Sequence, residues 1–89
     1  MKFRWIEWNR NHFAKHGVET DEAEMVVRNA KRPFPRKHGD EKWTVIGRGI
    51  GGRFIQVIYL VDPDKTIFVI HARPINDREK RRLRRGWKP

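Results

Sequence analysis

Three runs in the second half of the chain, "KWTVIGRGI", "RFIQVIYLV" and "TIFVIHAR", constrain the fold more than any other feature. Each is dense in β-branched and aromatic residues. Gly51-Gly52 separates the first two, and Asp62-Pro63-Asp64-Lys65 separates the second from the third. Both linkers are turn chemistry. Linkers this short join antiparallel strands, because a parallel return needs a long crossover. The expectation is therefore a three-stranded antiparallel meander. Upstream, "KFRWI" reads as a short first strand with Phe3 and Trp5 on one face. "KRPFPRKHGD" reads as a loop or an edge strand, since proline cannot donate to an interior ladder.

Helices flank the meander. A short helix around Trp8 to His16 is expected to end at Gly17, the residue that accepts left-handed backbone. In "ETDEAEMVVRNA", Ala23, Val26, Val27 and Ala30 recur at i, i+3, i+4 and i+7. Acidic residues crowd its first turn, and Thr20 or Asp21 can cap it. "NDREKRRLRRGW" opens with Asn76 and Glu79 in capping-box spacing and runs to Gly86, with Ile75, Leu83 and Trp87 as a thin docking stripe. The fold class is α+β: an antiparallel sheet with a C-terminal meander, two N-terminal helices and a basic C-terminal helix. Its length makes it one domain, residues 1–89.

The charge balance selects partners. There are 21 Lys and Arg against 11 Asp and Glu, a net charge of +10, which points to RNA, DNA or an acidic protein. Basic residues concentrate in the tail, where Arg73, Arg78, Lys80, Arg81, Arg82, Arg84, Arg85 and Lys88 face only Asp77 and Glu79. Such a run can be a solvated helix face, but like charges this dense gain from phosphate. Neutralising phosphates releases counterions, so this binding falls steeply with salt. A membrane surface fits less well, because no long amphipathic stretch is present. The absence of cysteine removes disulfides, thiolate metal sites and a thiol nucleophile, and suits a reducing cytoplasm. No apolar run has membrane-spanning length and "MKFRWIEW" lacks a signal-peptide core, so a cytoplasmic location is expected.

"GRGIGG", residues 47 to 52, satisfies the G-x-G-x-x-G pattern of pyrophosphate loops. Such a loop opens a helix, whereas a strand follows here, so the glycines are read as a turn and no nucleotide cofactor is expected. Arg48 and Arg53 beside the turn are the informative residues. On the last strand, strict alternation puts Ile67, Val69, His71 and Arg73 on one face and Phe68, Ile70 and Ala72 on the other. Imidazole moves protons near neutrality, and guanidinium grips phosphate with paired hydrogen bonds. The plainer reading is a histidine at the core edge and an ion pair of Arg73 with Glu79 or Asp77. Lys15 and His16, with His12 one turn earlier, form a second cluster, although cations also suit a helix C-terminus for electrostatic reasons alone. His38 falls in the proline-bearing loop, and no metal is expected, since no H-E-x-x-H spacing is present.

The order of these pieces resembles the BrnT family of type II toxin–antitoxin toxins. The resemblance rests on "KHGV" at Lys15–Val18, "EA" at Glu22-Ala23, "EKWTVIGR" from Glu41, and "HARP" followed by "DREKRR" from His71. The matching positions are Lys15, His16, Gly17, Glu41, Gly47, Arg73, Glu79 and Lys80. Trp5, Trp8 and His12 stand where the family usually carries an aromatic-Asp pair, a Lys and an Asn, and His71 stands where a small or apolar residue is common. The resemblance implies a RelE-like fold, metal-independent ribonuclease activity that inhibits growth, and a cognate antitoxin with a DNA-binding domain. The ribosome enters as a candidate partner.

The functional expectation is an endoribonuclease in which the substrate's 2′-hydroxyl attacks the adjacent phosphate. Arg73 is the expected phosphate clamp, and His71 or His16 the acid–base group. Lys15 and Arg48 add electrostatic stabilisation, and Glu41 is a candidate base or orienting group. Arg53, Arg78, Lys80, Arg81, Arg82, Arg84 and Arg85 are expected to hold RNA. Two other readings fit the charge: a non-catalytic nucleic-acid-binding module, and an interaction protein answering an acidic partner.

Overall fold

The alternating apolar runs become strands, and the 3.6-periodic runs become helices, in a computed structural model that describes residues 1–86. In chain order the elements are β1 (Phe3–Arg4), α1 (Glu7–Ala14), α2 (Thr20–Arg28), β2 (Arg36–Lys37), β3 (Lys42–Arg48), β4 (Phe54–Val61), β5 (Ile67–Pro74) and α3 (Asp77–Arg84). The result is an α+β fold with a five-stranded sheet of order β1-β5-β4-β3-β2. Strands β3, β4 and β5 form the expected antiparallel meander. The sheet as a whole is mixed rather than antiparallel, because β1 pairs parallel to β5 through Phe3–Ile67 and Arg4–Phe68. The proline-bearing segment contributes only the two-residue edge strand β2. No helix among the described residues is long and apolar enough to cross a membrane.

The pairing register sorts side chains onto two faces. Trp43–Tyr59–Val69 and Val45–Val57–Ala72 share one face with Gly47 and Ile55. That face is the core: Val45, Ile55, Val57, Val69 and Ala72 are wholly buried. Helix α2 lies on it, with Val26 so close that a Cβ on Gly47 would meet its Cγ1 at 3.6 Å. Ala23, Val26 and Val27 are the buried stripe that the periodicity marks. The N-cap of α2 is Glu19, however, with no side-chain cap, and Thr20 already belongs to the first turn. Asp21 serves that turn from within, accepting the Glu22 N–H at 2.9 Å.

A bulge in β5 corrects the alternation expected there. His71 pairs with Ile58 but Val69 pairs with Tyr59, so Ile70 is an extra residue without a partner. Ile67, Val69 and Ala72 therefore point into the core. His71 and Arg73 remain together, but on the opposite face with Phe68, Ile58 and Gln56. Without the bulge, one of the two sets would be inverted.

Beyond β1, the β5 edge is covered by α1. The buried Asn9 side chain of α1 donates to the Val69 carbonyl at 3.0 Å and accepts the Ile6 N–H at 2.8 Å. It occupies the place of a missing strand partner while closing the first turn of its own helix. Chain turns after α1 and between β3 and β4 put Gly17, Gly51 and Gly52 at φ of +74°, +76° and +81°. The glycine motif thus forms a turn leading into a strand, as expected.

A buried carboxylate locks that turn to α2. Glu22, 3% exposed, accepts the Ile50 N–H at 2.8 Å and the Arg53 guanidinium at 2.6 and 3.3 Å. Arg53 also donates to the Gly17 carbonyl, so one ion pair joins α2, the β3–β4 turn and the α1–α2 link. Gly49 is glycine for steric room: a Cβ there would lie 2.9 Å from the Glu22 Cγ and Cδ. Gly49→Ala is expected to destabilise by about 1–3 kcal/mol through overpacking. Glu22→Ala should cost about 2 kcal/mol, discounted for the partly solvated Arg53. Urea unfolding checks both, and wild-type stability in either variant would contradict the assignment.

Candidate active site

The face of the sheet opposite α2 carries the chemistry. Its rows, read from the register, are Arg36–Thr44–Ile58–His71, then Ile46–Gln56–Arg73, then Arg48–Phe54. Thr44 and Gln56 are buried and joined at 3.4 Å, whereas Ile58, His71 and Arg73 are half-buried. The floor buries this one polar pair among apolar residues, and the groups able to move charge lie near its β5 side.

Helix α1 supplies the wall. Trp8 and His12 of α1 stand at i and i+4, and His16, in the turn that follows the helix, continues their line. The Trp8 and His12 rings stack at 5.6 Å with 7° between planes, and the His12 and His16 rings meet edge-on at 5.6 Å. This line runs along β5: Trp8 lies 6.5 Å from Phe68 and His16 lies 6.3 Å from His71. The sequence reading of His12 and His16 as one cluster is matched by these distances. Their meeting with His71 is tertiary.

His71 sits where protonation is disfavoured. Burial pushes its pKa below the ordinary histidine value of 6.5, and the positive field of Arg73 and of His16, His12 and His38 pushes in the same direction. Both effects favour the neutral imidazole, the form able to accept a proton. No group of three or more metal-ligating side chains is assembled among the described residues.

Arg73 is held rather than free. Its guanidinium forms a bidentate pair with Glu79 at 2.6 and 2.9 Å, which leaves donors on Nε and Nη2. Glu79 is fixed in turn by the expected capping box: Asn76 Oδ1 accepts the Glu79 N–H at 2.8 Å, and Glu79 Oε1 accepts the Asn76 N–H at 3.1 Å. One carboxylate thus caps α3 and orients the arginine of β5. The arginine hydrogen bonds are the main reason the Glu79 carboxyl lies at about 2, below its ordinary value of 4.5.

The remaining candidates divide by place. Lys15 is exposed at the C-terminal cap of α1, next to His16. Arg48 lies on the same sheet face one row beyond Arg73, its guanidinium 4.6 Å over the Phe54 ring and donating to the Gly52 carbonyl at 3.1 Å. Glu41 is not brought to the cluster. It is exposed at the other end of the sheet, beside Trp43, Leu60 and Pro63, because the β3–β4 register carries the start of β3 to the end of β4. Arg53, expected on RNA, is committed to Glu22 and Gly17. On α3, Arg78, Arg81, Arg82 and Arg84 are exposed, as is its cap Arg85, while Lys80 is half-buried and 3.7 Å from Asp77. Trp87 of the docking stripe and Lys88 of the basic run lie outside the described residues.

Two residues on this side of the sheet escaped the sequence reading. Arg36, read only as part of a proline-bearing segment, pairs with Thr44 and so lies in the His71 row, three strands from it. Trp8 is 54% exposed, although its size favours burial, and only the i, i+4, i+8 spacing with the histidines marks its place.

Because the Glu79 pKa is lower folded than unfolded, its pairing stabilises above about pH 4.5, and this contribution is lost as pH falls toward 2. Its size is on the order of 2 kcal/mol after allowance for solvent screening. Glu79→Gln should therefore lower urea stability at pH 7 and bring the two proteins together near pH 2. A pH-independent difference would contradict the pairing as its source.

Compared with protein-family models, with curated proteins and with solved structures, the chain matches none.

Proposed function

We propose that the chain is a metal-independent endoribonuclease whose site lies at the meeting of β5 and α1. The observation that carries this reading is His71: a half-buried imidazole whose neutral form is favoured, 6.3 Å from a second imidazole and two residues from a clamped arginine. His71 accepts the proton of the substrate's 2′-hydroxyl as its oxygen bonds to the adjacent phosphorus. The bond from phosphorus to the 5′-oxygen breaks, and His16 supplies the proton that this oxygen takes. The products are a 2′,3′-cyclic phosphate and a 5′-hydroxyl. Arg73 stabilises the negative charge gathering on the phosphorane, with Lys15 adding to the field.

Exposed arginines of α3 hold the RNA by its phosphates. Glu41 takes no part in this arrangement. With the BrnT resemblance added, we read the protein as a RelE-like toxin with a DNA-binding antitoxin as partner and the ribosome as a place where it can act. A second reading, an RNA-binding module without catalysis, is favoured by the hold of Glu79 on Arg73.

Purified chain incubated with long single-stranded RNA in excess EDTA is expected to leave 2′,3′-cyclic phosphate ends. His71→Ala should slow this by about 10²- to 10⁴-fold with little change in affinity. The acidic limb of kcat/KM should fall below the ordinary histidine value of 6.5, since His71 acts when deprotonated. RNA left intact both with and without ribosomes would refute the ribonuclease reading. Salt-sensitive binding without cleavage would select the binding module instead.

A further inference from the structure

A second site lies beyond the His71 cluster. The C-terminal end of α2, the segment after it, the end of β3, the start of β4 and the end of α3 surround an open groove of about 970 Å³. Its apolar lining includes Phe34, Ile46, Phe54 and Leu83. Its charged lining is Lys31, Arg32, Arg48 and Arg84, with no carboxylate. None of these four cations forms an ion pair among the described residues, unlike Arg4, Arg28, Arg53 and Arg73, each held by an acid.

We propose that this groove binds single-stranded RNA, taking the nucleotides that flank the phosphate held at Arg73. The proposal rests on RNA being the polyanion of the functional reading, though not on cleavage. Three features favour this occupant. Unpaired cations around an apolar floor match a chain that alternates phosphates with flat apolar bases, whereas an RNA duplex hides those bases. Arg48 lies over the Phe54 ring at 4.6 Å, so the floor offers a flat guanidinium face, a surface on which bases stack. The groove also adjoins the site: Ile46 of its lining shares a row with Gln56 and Arg73, and the Arg48–Phe54 row follows on the same sheet face. A strand gripped at Arg73 reaches the groove without crossing the sheet.

The test is fluorescence anisotropy with a short, labelled, single-stranded 2′-O-methyl RNA, which cannot supply the attacking hydroxyl. Lys31→Gln, Arg32→Gln and Arg84→Gln are combined in one variant. Lys2→Gln, Lys42→Gln and Lys65→Gln are combined in a second, which removes the same charge elsewhere. All six side chains are exposed, and circular dichroism verifies that both variants fold. The groove variant should lose about tenfold or more in affinity, and its slope against log salt should fall by about 2. The charge-matched variant should stay near wild type. Equal losses in both variants, or no loss in either, would overturn the proposal. So would a groove variant that keeps RNA but loses binding to polyglutamate, which would assign the groove to an acidic protein partner. Cleavage of unmodified RNA is scored separately: its absence both with and without ribosomes, with groove-dependent binding intact, overturns the ribonuclease reading and leaves this site standing.

Discussion

The buried Glu22 carboxylate sets the arrangement on which both sites depend. A charge taken out of water must be met by hydrogen bonds, and here the Ile50 N–H and the Arg53 guanidinium meet it. Those partners come from the β3–β4 turn, and Arg53 reaches on to the Gly17 carbonyl. The beginning of α2, the end of the α1 segment and one end of the sheet are thereby fixed to each other. His16 and Lys15 precede Gly17 directly, and Arg48 precedes Gly49, the residue whose missing Cβ makes room for the carboxylate. The cations and imidazoles thus take their places from a pair that performs no chemistry in the proposed reaction.

A second carboxylate performs the matching task on the other side. Glu79 closes the capping box of α3 and holds the guanidinium of Arg73 in one plane. The chain as a whole carries a net charge of +10, and the charged residues that line the groove are all cations. Glu22 and Glu79 sit where geometry is held, whereas Lys31, Arg32, Arg48 and Arg84 of the groove form no ion pair among the described residues. His71 responds to the same field: burial and neighbouring positive charge both favour its neutral form.

Much of the scaffold is legible in the sequence. The meander followed from turn residues between β-rich runs, α2 from four apolar positions at helical spacing, and the cap of α3 from Asn76 and Glu79. These are local signals, each contained in a few neighbouring residues. The misread features were non-local. Nothing in "TIFVIHAR" distinguishes a bulged strand from a regular one, because the extra residue is defined only against β4. The parallel pairing of β1 depends on where the helices deliver the chain. Arg53 looked like a surface cation because its partner lies 31 residues away.

The sequence by itself determined which segments form strands and helices, the strongly basic charge, and that His71 and Arg73 share one face, since spacing by two survives a bulge that lies before them both. Only the tertiary structure decided which face that is, that His12 and His16 line the same side, that Glu41 stays away, and that Arg53 serves the fold. The physical reason is range. Periodicity and turn chemistry act between neighbours along the chain, whereas register, buried charge pairs and the field around an imidazole act between groups that meet only when the sheet has formed and α1 covers its edge.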